Sequence, residues 1–357
     1  MRAKSQEQLK TNPLKMQDSN KLLIVGNSGD TQVGTHFRNA ACKLHVPVHY
    51  VDQKDAFSGS VLLRQINWWL LGHRPYHLIP FSRKVLSVCK SIQPRWLLCT
   101  GRSPILSEVL IEIGRLGIQR LNYLTDDPWN PSHKASWLFK SLPNYDMIFS
   151  TRKTNIEDLK KLGCKNVQFL PFAYSPEIHF FDCPASSTDR LRFESDVLFI
   201  GAADKDRIPY IKALIRGGLK IGLYGGYWNR YPEVRKFNRG YANSRDLRWA
   251  LSTTKLALGL VRRANRDDNS MRTFEIPAIG TCMLAEDTDE HRRIFAEDGK
   301  NVLYFKDCNE MLQKTFFLLN NNAERFRLAK AAHELIIRGH HTYKDRLLKI
   351  LEMQDPE

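Results

Sequence analysis

The chain has 357 residues, and its 54 lysines and arginines against 38 aspartates and glutamates leave a net charge of +16. Hydrophobic residues make up 42% and charged residues 26% of the sequence, ordinary proportions that exclude collagen, a coiled-coil rod and large-scale disorder. At about 150 residues per domain, this length predicts two domains. The apolar runs are far shorter than the ~20 residues that a membrane-spanning helix needs.

Residues 1–20 are polar and have no apolar period, which predicts a flexible tail. From residue 21, short apolar runs alternate with helical patterns, an order typical of a parallel sheet in an α/β domain. The predicted strands of this first series are 21–26, 48–51, 96–100, 120–125, 145–150 and 167–170, and the predicted helices begin near residue 35 and span 104–116 and 155–162. Together they predict a Rossmann-like N-terminal domain over residues 21–182.

A polar stretch over residues 183–192 has the composition of a linker. A second α/β series follows and predicts a Rossmann-like C-terminal domain over 193–357, whose last helix packs back on the first domain. Its predicted strands are 196–200, 220–224, 255–260, 281–285 and 301–305, and its predicted helices are 209–216, 244–252, 274–279, 310–319, 323–338 and 344–353. Ligands of such sheets bind beyond the carboxyl ends of the strands, so we expect a site in the cleft between the domains.

Two carboxylates and an arginine stand close together before and within the predicted helix at 274–279. Glu275, near the helix N-terminus, is suited to accept hydrogen bonds from both hydroxyls of a ribose, and Asp267 lies eight positions earlier. Arg272 and the free N–H groups of the helix start are suited to bind a diphosphate. An ordinary ion pair between Glu275 and Arg272 is the alternative, and the residues alone leave both open.

A set of short motifs occurs in a fixed order along residues 95–350. They are Leu124-Thr125-Asp126-Asp127-Pro128-Trp129, Leu170-Pro171-Phe172-Ala173, Phe199-Ile200-Gly201 with Arg207, Leu223-Tyr224-Gly225 with Trp228, Arg272-Thr273-Phe274-Glu275-Ile276-Pro277-Ala278-Ile279-Gly280, and His341-Thr342-Tyr343 with Arg346. As a set they resemble the CgeB/YkvP-like glycosyltransferases.

This resemblance implies a GT-B fold, in which two Rossmann-like domains with parallel sheets face a central cleft. It also implies transfer of a sugar, of the hexosyl type, from a nucleotide-diphosphate donor to an acceptor hydroxyl without a cofactor or metal. Glu275 matches the second glutamate of an E-x7-E motif, the ribose ligand, and Asp267 stands in place of the first. Arg207 matches the family arginine in the loop after Gly201, where a diphosphate contact fits its position and Lys205 is its expected helper; a solvated basic helix start is the alternative.

Asp126 and Asp127 directly follow a predicted strand, where an aspartate is suited to orient or deprotonate the acceptor hydroxyl. Adjacent side chains project to opposite sides of a strand, so at most one of the two reaches the substrate. An Asp-Pro turn is the alternative. No residue separates the two aspartates, so they are not the metal-binding DxD of the other glycosyltransferase fold.

The aspartate at position 267 leaves the donor-sugar contact and the retaining or inverting outcome open. It favours, as the alternative, a non-catalytic GT-B-like protein that binds a sugar or nucleotide sugar in envelope or spore-coat assembly.

The basic charge fits a nucleotide, a nucleic acid or a membrane surface, and no recognised module favours a specific nucleic acid. Aromatic and basic residues are mixed over 66–77, with Arg83 and Lys84 nearby, a pattern that occurs at membrane interfaces and more often in a core or an acceptor groove. Seven cysteines without a CxxC pair indicate neither a metal site nor disulfides. We therefore expect a cytoplasmic protein in peripheral contact with the inner membrane face, and the resemblance adds an expected role in cell-envelope or surface glycan synthesis. The acceptor stays open among a glycan, a lipid-linked molecule and a protein.

Overall fold

The structure, a computed structural model, describes residues 20–352. The predicted tail over 1–20 lies outside this range apart from Asn20. The chain forms two parallel β-sheets, and helices connect their strands. Each strand predicted from the sequence is present, with ends shifted by at most two residues.

The first half of the chain forms a six-stranded sheet. Its strands are β1 (Leu22–Gly26), β2 (Val48–Asp52), β3 (Trp96–Thr100), β4 (Gln119–Leu124), β5 (Met147–Ser150) and β6 (Val167–Phe169), in the spatial order β2-β1-β3-β4-β5-β6. Its helices are α1 (Val33–Lys43), α2 (Val61–Leu70), α3 (Leu78–Ile92), α4 (Ser107–Arg115), α5 (Ser136–Ser141) and α6 (Thr154–Lys161). Strands β1 and β3 are buried along their whole length because both faces of the sheet are covered.

The second half forms a five-stranded sheet. Its strands are β7 (Ser195–Ile200), β8 (Ile221–Tyr224), β9 (Thr254–Gly259), β10 (Met283–Glu286) and β11 (Leu303–Phe305), in the order β11-β10-β9-β7-β8. Its helices are α7 (Ser187–Phe193), α8 (Ile208–Arg216), α9 (Ser244–Thr253), α10 (Met271–Ile279), α11 (Asp289–Phe295), α12 (Cys308–Asn320), α13 (Asn322–Arg338) and α14 (Tyr343–Glu352).

The segment predicted as a linker, residues 183–192, contains most of helix α7. Ser186 caps this helix, since its side chain accepts a hydrogen bond from the backbone N–H of Asp189, and Phe193 at the other end is buried. Serine and aspartate are common both in linkers and at helix starts, so the composition of this stretch did not reveal the helix.

Helix α14 comes from the end of the chain but packs against α1 of the first half. The ring of Tyr343 meets the edge of Phe37, with centroids 5.2 Å apart, and stacks on His36 at 4.8 Å. Phe37 and Tyr343 belong to one buried apolar cluster that also contains Phe274 of α10. The two halves of the molecule therefore share a core beside the cleft.

Candidate active site

A cavity of about 720 Å³ lies between the two sheets, at the carboxyl ends of their strands. The loops after β1, β3, β4 and β5 line it from one side, and the loops after β7 and β9 and the start of α10 line it from the other. Among the described residues that line it, six are cationic and two are acidic. They are Lys54, Arg102, Arg152, Arg207, Arg262 and Arg272, and Asp126 and Asp267. The cavity is therefore suited to an anionic ligand.

Arg207 is held behind the loop that follows β7. Its guanidinium donates hydrogen bonds to the carbonyl oxygens of Ala202 at 3.0 Å and Leu260 at 3.4 Å, and Nε has no hydrogen-bond partner among the described residues. Gly201 packs tightly here, since a Cβ atom at this position would lie 2.8 Å from the Phe199 ring. Lys205 is exposed and does not line the cavity.

Helix α10 begins at the cavity. Ser270 caps it in a box with Thr273, in which each side chain accepts a hydrogen bond from the backbone of the other residue. Arg272 donates from Nε to the carbonyl oxygen of Ile200 at 3.3 Å, and burial lowers the pKa of Arg272 to about 10. This arginine therefore stays charged at neutral pH and bridges the start of α10 to the end of β7.

Glu275 lies on the same helix but is completely buried and does not line the cavity. Its Oε2 contacts the guanidinium of Arg272, and its Oε1 lies 3.4 Å from Nε2 of His179. Glu275 and Arg272, which the sequence predicts as the ribose and diphosphate ligands, therefore form an ion pair. Arg272 lies on the cavity side of this pair.

The neighbouring aspartates 126 and 127 point to different surroundings. Asp126 lines the cavity, where burial raises its pKa but the nearby charges, led by Arg102, hold the pKa below its ordinary value. Asp127 does not line the cavity, and its carboxylate accepts hydrogen bonds from Arg266 at 2.6 and 3.0 Å and from the backbone N–H of Trp129 at 3.0 Å. Of the two aspartates, Asp126 alone lines the cavity.

Asp267 lines the cavity in an ion pair with Arg152 of the first half. Both side chains are more than nine-tenths buried, at 8% and 3% exposed. Burial raises the pKa of Asp267 to about 6 although Arg152 opposes the shift. Desolvation of this carboxylate therefore outweighs the attraction of its partner.

Three potential metal ligands, His36, His179 and Glu275, have side-chain donor atoms within 4.8 Å of one another. Nδ1 of His179 accepts a hydrogen bond of 2.9 Å from the backbone N–H of Ser175, so in the neutral ring Nε2 carries the proton. Burial lowers the pKa of His179 well below its ordinary value and keeps the ring neutral. Nε2 of His179, the nitrogen nearest to Glu275, is therefore a hydrogen-bond donor and has no lone pair for a metal ion. The positive charge of Arg272 beside Glu275 also disfavours a metal cation at this place.

Sequence reasoning missed several residues of the site. Arg102, Arg152 and Arg262 each lie just after the carboxyl end of a strand. This position in the sequence could have indicated that they line the cleft. His179 lies in an irregular loop after β6, and no spacing in the sequence links it to Glu275, almost a hundred residues later.

Comparisons with known proteins concern the fold and the second half of the chain. Residues 200–352 match the model of a glycosyl transferase-like family. Sucrose-phosphate synthase from Thermosynechococcus elongatus superposes with a TM-score of 0.67 at 12% identity, over 94% of this chain and 98% of that one. HepE from Anabaena, solved in complex with UDP-glucose, superposes with a TM-score of 0.59 at 11% identity, over 93% of this chain and 99% of that one.

The fold is GT-B. The family model covers residues 200–352, less than half of the chain, and the structural neighbours share its fold. The same architecture also relates the chain to UDP-GlcNAc 2-epimerase from Neisseria meningitidis bound to UDP-GlcNAc, with a TM-score of 0.51 and 10% identity over 94% of this chain and 100% of that one. At such identities the likeness concerns the fold. No curated protein matches the sequence.

Within residues 20–352, no helix combines the length and the apolar character needed to cross a membrane.

Proposed function

We propose that this protein is a glycosyltransferase that moves a sugar from a nucleotide-diphosphate donor to an acceptor hydroxyl. One observation carries the proposal: six cationic and two acidic side chains line the GT-B cleft where helix α10 begins. A diphosphate leaving group gains negative charge as the bond to the sugar breaks, and fixed cations at that place lower the barrier.

The donor would lie against the second half of the molecule. Arg207, whose Nε is unpartnered, and the start of α10 would bind the diphosphate, with Arg272 beside them and Lys205 reaching in from the surface. Gly201 lines the same part of the cavity and adds no side chain to it. Glu275 would accept the ribose hydroxyls once Arg272 turns from the carboxylate toward the phosphates.

The acceptor would enter from the first half. Asp126, which stays ionised, would take the proton of the acceptor hydroxyl as its oxygen bonds to the anomeric carbon and the diphosphate departs. Asp127 would hold Arg266 rather than touch the substrate. Asp267 would face the donor sugar, close to Arg152. Because the arginines would neutralise the leaving group, we propose a transfer that needs no metal. The hexosyl type of the transferred sugar is proposed from the motif resemblance alone.

We also propose a place for this reaction, in cytoplasmic synthesis of envelope or surface glycans by a CgeB/YkvP-like enzyme. The ordered motifs of residues 95–350 support the subfamily. Helix α2 supports peripheral contact with an anionic membrane, since Leu62 and Leu70 are 66% and 77% exposed beside a groove lined by Arg74 and Arg83. Co-sedimentation with phosphatidylglycerol vesicles checks this contact, and equal recovery in the supernatant with and without vesicles would contradict it.

The second candidate function is binding of a sugar nucleotide without turnover. The ion pair of Asp267 with Arg152 favours it, because this aspartate stands where the related motif has a glutamate and is already engaged. Both candidates predict nucleotide binding, and release of nucleoside diphosphate in the presence of acceptor separates them.

A thermal-shift scan with UDP, GDP, TDP, CDP and ADP tests the proposed site, on wild type and on Glu275→Gln. Binding to the folded state raises the melting temperature by mass action. We expect stabilisation by one nucleotide that is reduced in Glu275→Gln and retained in Glu290→Gln, which changes a buried carboxylate that does not line the cavity. No stabilisation by any nucleotide would contradict the proposal.

A further inference from the structure

A buried group of polar side chains lies behind the cleft and joins the two halves of the molecule. We call it the histidine network; it consists of His36 on α1, Ser175 and His179 in the loop after β6, and Glu275 on α10. All four residues are at most 1% exposed, and none of them lines the cavity. Polar groups at such depth are costly unless they are paired, so this network needs an explanation.

The backbone fixes the orientation of His179. A single helical turn runs from Ser175 to His179, whose N–H donates to the Ser175 carbonyl oxygen at 2.8 Å. The Ser175 N–H donates in return to Nδ1 of His179 at 2.9 Å. Because Nδ1 accepts, the ring proton sits on Nε2, and Nε2 lies 3.4 Å from Oε1 of Glu275, close to it but outside hydrogen-bond geometry as the side chains stand. The Ser175 hydroxyl binds Nδ1 of His36 at 3.0 Å and secures the same loop.

The two oxygens of Glu275 therefore have different neighbours. Oε2 contacts Arg272, which lines the cavity, and Oε1 faces His179, which does not. Arg272 can turn to a ligand in the cleft, whereas His179 is held by backbone hydrogen bonds in the interior. If Arg272 turned to such a ligand, His179 would remain the fixed neighbour of the carboxylate, with Nε2 3.4 Å from Oε1.

We propose that His179 is a positioning residue for Glu275, which it holds by its Nε2–H so that the carboxylate accepts the ribose hydroxyls of the donor. This inference rests on the proposed function, because it takes Glu275 as the ribose ligand. His179 comes from the first half of the chain and Glu275 from the second, so the ribose site is complete only when the two halves are packed together.

The test measures how strongly the site distinguishes a ribose from a sugar without the hydroxyls. Calorimetry gives the dissociation constants of UDP, or of whichever nucleotide stabilises the protein most, and of its 2′,3′-dideoxy counterpart. In wild type we expect a preference for the ribonucleotide on the order of tenfold or more, the size of a charge-assisted hydrogen bond. His179→Phe should bring this ratio close to one and leave the affinity for the dideoxy nucleotide almost unchanged.

His179→Gln should restore much of the preference, since its side-chain amide can donate from about the same place as Nε2. His291→Gln is the matched control, because His291 is a buried histidine on α11 whose ring binds Thr273 and the carbonyl oxygen of Glu286 rather than Glu275. It should keep the wild-type preference. In the Glu275→Gln background, His179→Phe should have no further effect on the ratio, because the two residues act through one another.

The outcomes separate the inference from the proposed function. If Glu275→Gln lowers the ratio but His179→Phe does not, the positioning role is wrong and the ribose site stands. If Glu275→Gln leaves the ratio unchanged, the proposed ribose site itself is wrong. Should His179→Phe fail to fold, ¹⁵N NMR of histidine-labelled wild type still decides, since a proton on Nδ1 rather than Nε2 of His179 would overturn the inference.

Discussion

Asp126 and Asp127 are neighbours in the sequence, yet the structure gives them different surroundings. The strand geometry predicted that at most one would reach a substrate, and Asp126 is the one that lines the cavity. The sequence pattern does not show which of the two lines the cavity, because this depends on the contact between Asp127 and Arg266. This arginine comes from the second half of the chain and binds Asp127.

Asp267 gives a prediction about pH. Its pKa is about 6 in the folded protein and 3.8 ordinarily, so between these values the folded chain binds more protons than the unfolded chain. The free energy of unfolding contributed by this group therefore falls as the pH rises through that window and is constant above it. The total fall is about 3 kcal/mol, from a shift of roughly two pKa units.

Chemical unfolding of wild type and Asp267→Asn at several pH values measures this effect. The free energy of unfolding of wild type, minus that of the variant, should fall from about pH 4 to pH 6.5 and then level off. Asp126→Asn is the control, because the pKa of Asp126 in the folded protein is lowered. The free energy of unfolding of wild type, minus that of Asp126→Asn, should therefore not fall between about pH 4 and pH 6.5. A flat or rising difference for Asp267 would contradict the assigned burial.

The residues predicted to bind the sugar-nucleotide donor could be identified from the sequence, but their arrangement could not. The run 272–280 drew attention to Glu275 and Arg272, and the structure brings them into contact. Their arrangement, with the arginine toward the cavity and the glutamate behind it, depends on His179 and on side-chain rotamers that no motif encodes. The roles of these residues stay predictions.

At the scale of elements, the loop 262–270 connects the two halves across the cleft. It joins β9 to α10, and four of its side chains reach the first half. Asn265 accepts a hydrogen bond of 2.5 Å from the side-chain amide of Asn130, and Asn269 donates one of 3.2 Å to the Thr151 carbonyl oxygen. Arg266 forms ion pairs with Asp127 and Asp158. Asp267 forms an ion pair with Arg152. This loop also carries a proposed catalytic residue, so we expect domain closure and site assembly to be coupled.

Arg266→Ala tests that coupling. The change leaves the carboxylate of Asp127 buried without its arginine, which should cost on the order of 2 kcal/mol of unfolding free energy. It should also loosen the two halves, seen as a larger radius of gyration in small-angle X-ray scattering.

The matched control is Arg263→Ala, in the same loop. Arg263 pairs with Glu286 and Tyr210 of its own half, so its removal should leave the radius of gyration unchanged. Equal effects of the two substitutions would mean that the loop does not hold the halves together.

The strands were predictable because each is a short apolar run with a glycine, a turn or a polar residue at its end. The sequence did not predict helices α2, α3, α5 and α11. Around α2 and α3, tryptophans and two prolines, Pro75 and Pro80, obscure the helical period. Pro80 lies in the first turn of α3, where no helical N–H is required, so it is compatible with that helix.

For the whole molecule, the net charge of +16 has a local counterpart in the cleft, where six cations face two carboxylates. Composition predicted an anionic partner without locating it. The alternation of strands and helices predicted two sheets with a cleft between them, and the shared core of α1, α10 and α14 explains how the cleft is held on one side. That core comes from residues far apart in the chain, which local patterns do not connect.

The most direct test of the proposed function is a crystal structure of the protein with the nucleoside diphosphate that binds most tightly. We predict that the diphosphate lies between the Gly201 loop and the start of α10, within hydrogen-bond distance of Arg207, and that the ribose hydroxyls meet Glu275. A nucleotide bound outside this cleft, or bound there with its phosphates turned away from Arg207 and α10, would contradict the account.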